Sequence, residues 1–89
     1  MTEVDPIIER LREQISDNDR RLADALNRRL ELVAELKRYK DSRGIDFGDA
    51  EREAHLLDEL GRANAGPLSD AELRAFFVDV LALTKREVS

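Results

Sequence analysis

From Ile8 onward the apolar residues of this chain recur at helical spacing: Ile8, Leu11, Ile15, Leu22, Leu26, Val33 and Leu36. The steps are three, four or seven, which stacks these side chains on one face of an α-helix. Asp5 can cap its start, and Pro6 then takes the first helical position, where a missing N–H costs nothing. Neither Gly nor a second Pro interrupts until Gly44, which follows Ser42-Arg43 and reads as a stop. The pattern predicts a helix over residues 5–42. At 1.5 Å per residue that rod is roughly 55 Å long. A compact domain of this size has a radius of gyration of about 12 Å. One chain cannot wrap such a rod, so the stripe predicts an obligate oligomer, most simply a two-fold dimer.

Two shorter helices follow the linker Gly44-Ile45-Asp46-Phe47-Gly48. The first is expected over 49–63, capped by Asp49, with Leu56, Leu57 and Leu60 as its buried face. Asn64-Ala65-Gly66-Pro67 ends it, because the residue before proline is biased away from helix. The last is expected over 69–87 and opens with Ser69-Asp70-Ala71-Glu72, the spacing of a capping box. Leu73, Phe76, Phe77, Val80, Leu81 and Thr84 make its inner face. The expected fold class is all-α: three helices, one of them long, in a single domain over residues 1–89. No internal repeat or low-complexity tract interrupts it.

Composition narrows the function classes. Charged residues make up 39% of the chain and aromatics 4%, a mixture suited to solvated helices rather than to a β-sandwich. The net charge of -5 argues against a nucleic-acid partner, which needs a basic face. Cysteine is missing and His55 is the lone histidine, so neither disulfides nor a thiolate or histidine metal site is expected. No apolar run is long enough to span a membrane, and the start lacks the pattern of a secretory signal, so the expected compartment is the cytoplasm. His55 reads as a surface residue of the second helix, and Phe76 and Phe77 as core. Tyr39 fits either a pocket wall or the outside of the bundle.

The informative anomaly is charge on the apolar stripe. Arg29 lies three residues past Leu26 and Lys40 four past Leu36. At 100° per residue the two cations point the same way, about 16 Å apart along the axis. An unpaired buried cation costs several kcal/mol, so each must find an anion or reach out to water. Both outcomes fit the pattern: the cations snorkel out or pair with Glu residues from other helices, or they hold a bound anion. Arg12 lies about 25 Å from Arg29 and is rotated from it by roughly 100°. It serves the same pocket only if it arrives from a second chain whose first helix runs antiparallel; otherwise it is a solvated surface arginine. Asp49-Ala50-Glu51-Arg52-Glu53 gathers a cap, a cation and an anion at a helix N-terminus, where free N–H groups suit a hydroxyl or carboxylate. Ordinary capping beside a solvated ion pair explains the same residues.

In order and spacing, Arg12-Glu13-Gln14-Ile15-Ser16, Asp19, Arg28-Arg29, Lys40 and Asp49-x-x-Arg52-Glu53 resemble the all-helical chorismate mutase family. Leu68-Ser69-Asp70, Leu73, Phe77, Val80-Leu81 and Thr84 extend the likeness through the third helix. The resemblance implies an intertwined homodimeric helical bundle with two pockets, each built from both chains and needing no metal or cofactor. Arg29 and Arg12 of the partner subunit would hold the two carboxylates of chorismate. Lys40 would hydrogen-bond the ether oxygen. Glu53, with the backbone at Asp49, would take the ring hydroxyl, supported by Arg52. Thr84 would stand where the family usually has a serine near a carboxylate. The implied activity is the [3,3] rearrangement of chorismate to prephenate, which calls for clamping and electrostatic stabilisation rather than a general base.

One position departs from the family pattern. A Gln or Glu usually stands one turn after the Ser/Thr as a second donor to the ether oxygen, and here that residue is Val88. Glu87 is adjacent but rotated by about 100°. Either the helix end shifts to bring Glu87 in, or the donor is missing and the enzyme is slow alone. Some small relatives gain activity in complex with the first enzyme of the shikimate pathway. Rival readings on the same fold are 4-amino-4-deoxychorismate mutase and isochorismate-pyruvate lyase. Outside catalysis, a dimeric ligand-binding module or a scaffold without a pocket also fits three helices.

Overall fold

The computed structural model describes residues 5–88. Across them the fold is all-α, with three helices: α1 (Pro6–Ser42), α2 (Ala50–Ala63) and α3 (Asp70–Val88). The chain forms two compact units, Met1–Leu32 and Val33–Ser89, and α1 contributes to both.

The first unit is helix and its cap. The Asp5 side chain accepts from the amides of Ile7 at 2.9 Å and Ile8 at 3.4 Å, satisfying two of the free N–H groups at the start of α1. Arg20 pairs with Asp17, and Arg28 with Glu31 at 3.1 Å, each across one turn of the exposed surface. Such pairs are worth a few tenths of a kcal/mol and cannot by themselves hold a long helix in water. The apolar stripe has to do that, yet Ile8, Leu11, Ile15 and Leu22 are 46–60% exposed. No described residue of their own unit covers them.

In the second unit the end of α1 is fixed by its turn. The Ile45 amide donates to the Lys40 carbonyl at 2.9 Å and the Gly44 amide to the Asp41 carbonyl at 3.3 Å. This is a Schellman closure, and it places Gly44 in the left-handed region at φ 66°. Asp49 then caps α2, its side chain accepting from the Arg52 amide at 2.9 Å. At the far end of α2, Asn64 ties the next loop together. Its amide nitrogen donates to the Leu68 carbonyl at 2.7 Å and to Asp70 at 2.8 Å, while its oxygen accepts from the Gly66 amide at 3.1 Å. The Ser69 hydroxyl accepts from the Glu72 amide at 3.2 Å, the first arm of the expected capping box.

α2 and α3 pack against each other, and their cross-links give the direction. Glu53 pairs with Lys85 and Asp58 with Arg74, so residue numbers rise on one helix as they fall on the other. The pair is antiparallel. Leu56, Leu57 and Leu60 of α2 are half-buried, as are Leu73, Phe77 and Leu81 of α3. At the centre lie Val80 and Thr84, 5% and 6% exposed. The Thr84 hydroxyl stays satisfied there by donating to the Val80 carbonyl at 2.7 Å. Phe76 corrects the expected inner face of α3. It is 42% exposed, because it sits one position, about 100°, from Phe77 and the two cannot both face α2. It packs edge-on against the Phe77 ring instead, with centroids 5.5 Å apart.

Gly44 gives a direct test of the turn. A Cβ there would meet no atom within 4 Å, so only its backbone conformation resists substitution. Gly44→Ala is expected to destabilise the protein by about 1–2 kcal/mol, the cost of left-handed backbone for an L-residue. Gly48, in equally open space without a positive φ, should accept alanine at no cost. Urea unfolding at fixed protein concentration measures both, and equal effects would contradict the account of the turn.

Candidate active site

Lys40 stands two residues before the end of α1 in the turn just described, and its carbonyl accepts the Ile45 amide. The closure folds the linker back over its side chain. The ammonium lies 3.5 Å from the Phe47 carbonyl oxygen and 6.0 Å from the centre of the Phe47 ring. Lys40 and Phe47 are both half-buried. Among the described residues the cation on the stripe therefore meets no carboxylate. It rests on one carbonyl and an aromatic face, leaving donor capacity for another acceptor.

Two residues beyond Phe47, Asp49 uses its side chain on the α2 cap. Arg52 is exposed, and Glu53, one turn into α2, is half-buried. The Glu53 carboxylate meets Lys85 of α3, whose ammonium is 3.0 Å from Oε1 and 3.2 Å from Oε2. Read along α2 alone, the cation beside Glu53 is Arg52, and nothing local points to Lys85. A usable signal was present: antiparallel pairing of α2 and α3 places the start of one opposite the end of the other. Lys85 also follows Thr84 directly.

α3 continues as regular helix through Val88, which is half-buried, while Glu87 is exposed. The end of the helix does not turn to exchange one for the other. Arg12 and Arg29 belong to the first unit. Arg12 is exposed and Arg29 half-buried. The second unit thus joins Lys40 to Phe47 and Glu53 to Lys85, with Thr84 buried beside the latter pair in sequence. The two arginines take their place in the first unit alone.

Of the remaining polar residues, His55 is exposed and pairs with Glu59 at 3.0 Å when protonated. Tyr39 is exposed and lies under the Arg43 guanidinium, 5.7 Å from its ring centre. Among the described residues no helix is long and apolar enough to cross a membrane. A groove of about 490 Å³ lies between the end of α2 and the start of α3, lined by Leu57, Asp58, Gly61, Arg62 and Arg74 among others. It shares no residue with the set above and lies at the opposite end of the helix pair.

Comparison with known proteins places this geometry. The family described as chorismate mutase type II matches residues 11–88. Two solved structures of chorismate mutase from Thermus thermophilus, Forms II and I, each match with a TM-score of 0.83 and 28% identity. The Form II match covers 89% of this chain and 90% of that one, and the Form I match covers 86% and 96%. A search of curated proteins found no significant match. The matched range takes in α2, α3 and all but the first five residues of α1, and the chain belongs to the type II chorismate mutase family.

Proposed function

We propose that this chain catalyses the [3,3] rearrangement of chorismate to prephenate, as a homodimer in the cytoplasm. The family match over residues 11–88 carries the reading. In this reaction an ether C–O bond breaks as a C–C bond forms within one molecule, and no atom enters or leaves. The protein must fold a flexible dianion into a chair and stabilise charge growing on the ether oxygen. Arg29, with Arg12 of the partner subunit, clamps the two carboxylates through planar, charge-assisted hydrogen bonds. Lys40 donates to the ether oxygen, a role supported by its half-buried side chain, whose ammonium has the Phe47 carbonyl as its one hydrogen-bond partner among the described residues. Glu53 and the Asp49 backbone take the ring hydroxyl, Arg52 steadies that end, and Thr84 assists a carboxylate.

The dimer follows from the same physics. Ile8, Leu11, Ile15 and Leu22 need an apolar cover that their own unit lacks. A second copy of α1, antiparallel to the first, supplies it and carries Arg12 to the partner's pocket. Leu11→Glu is expected to yield monomers with reduced helicity, read by sedimentation and circular dichroism. A wild-type chain that stays monomeric at micromolar concentration would rule the dimer out.

Lys40→Ala should lower kcat by roughly 100- to 1,000-fold, the usual cost of one oxyanion donor, with helical circular dichroism unchanged. Loss of chorismate absorbance on adding the purified protein measures turnover, and a variant as active as wild type would refute this assignment. Val88 cannot donate to the ether oxygen, and the exposed Glu87 on a regular α3 supports a site running on Lys40 alone. The rate should then be flat between pH 5 and 8 and unaffected by Glu87→Gln, whereas Val88→Gln should raise kcat. A rate that climbs as pH falls, and loses that climb in Glu87→Gln, would assign the donor to a protonated Glu87. The missing donor also supports slow turnover alone, raised by a shikimate-pathway enzyme; adding the first enzyme of that pathway to the assay tests this.

A further inference from the structure

The proposed hydroxyl acceptor, Glu53, does not present a bare charge. Lys85 spans both its oxygens at 3.0 and 3.2 Å, so the carboxylate and ammonium form a nearly symmetric pair. Glu53 is the more sheltered member, with its side chain 33% exposed, whereas that of Lys85 is 62% exposed. Lys85 lies between Thr84 and Val88 on the last turns of α3, the stretch that faces the start of α2.

A carboxylate offers about four lone-pair positions, so one held by an ammonium still accepts from a substrate hydroxyl. The hydroxyl is neutral and needs no net charge from its partner. A substrate carrying an ammonium at the same ring position fares differently. It would meet a second cation within a few ångströms, and a carboxylate whose charge is already matched. We propose that Lys85 is a specificity-determining residue, which neutralises Glu53 and so selects substrates with a ring hydroxyl over those with a ring amine. This role rests on the assignment of Glu53 to the ring substituent. The alternative, that Lys85 only ties α3 to α2, predicts an effect on stability and none on substrate choice, since exposed pairs are worth under about 1 kcal/mol.

The test compares kcat/KM for chorismate and for 4-amino-4-deoxychorismate, at a pH where the amine is protonated. Wild type, Lys85→Met, Lys85→Gln and Lys85→Arg are assayed in parallel with their melting curves. Wild type should favour the hydroxyl substrate. Lys85→Met and Lys85→Gln should shift the ratio toward the amine by tenfold or more, about 1.4 kcal/mol, while Lys85→Arg keeps the wild-type ratio. Using an apolar and a polar replacement guards against loss of folding in either one. If both variants fold and hold the ratio within threefold of wild type, Lys85 has no part in selection. A wild type that turns over neither substrate would instead sink the reading of the site, and the selectivity with it.

Discussion

The stripe along the first half of α1 has nothing within its own unit to lie against. Fully burying one Leu or Ile side chain contributes roughly 1.5–3 kcal/mol, and four such residues stand about half exposed. Hydrogen bonds along the helix cannot replace that contribution, because water competes for the same groups. Surface ion pairs across one turn cannot either. The stripe makes sense as half of an interface, and the proposed dimer supplies the other half. The proposed dimer would also let arginines too far apart on one helix reach the same small dianion.

In the second unit the helix ends position the chemistry. Turn closure at Gly44 stops α1 and brings Phe47 beside Lys40, and Asp49 then starts α2 two residues later. Glu53 follows one turn on, where α3 delivers Lys85 to it. Lys40 on this path is partly withdrawn from water, where its field is less screened than on an open surface. A reaction needing fixed donors, and no proton shuttle, is well served by such groups. Their value lies in being held before the substrate arrives rather than reorganised around it.

With Glu53 at the ring substituent, as proposed, selection among related substrates would follow from charge balance. Chorismate and its amino analogue differ at one ring substituent, neutral in one and cationic in the other. A carboxylate answered by a lysine suits the first, and a carboxylate left unanswered suits the second. The partner of Glu53 therefore bears on the substrate question as directly as Glu53 itself. In the structure that partner lies 32 residues away, on the neighbouring helix.

Local rules were enough for much of this protein. The three helices, the caps at Asp5, Asp49 and Ser69, and the stop at Gly44 follow from period, propensity and backbone freedom, which act over a few residues. The cations on the apolar stripe, and hence the family resemblance, could be read the same way. Cross-helix facts could not. That Phe77 rather than Phe76 faces α2, and that Lys85 rather than a neighbour on α2 answers Glu53, both depend on how helices are rotated and brought together. Packing of many side chains at once fixes that rotation, and no single stretch of the chain contains it.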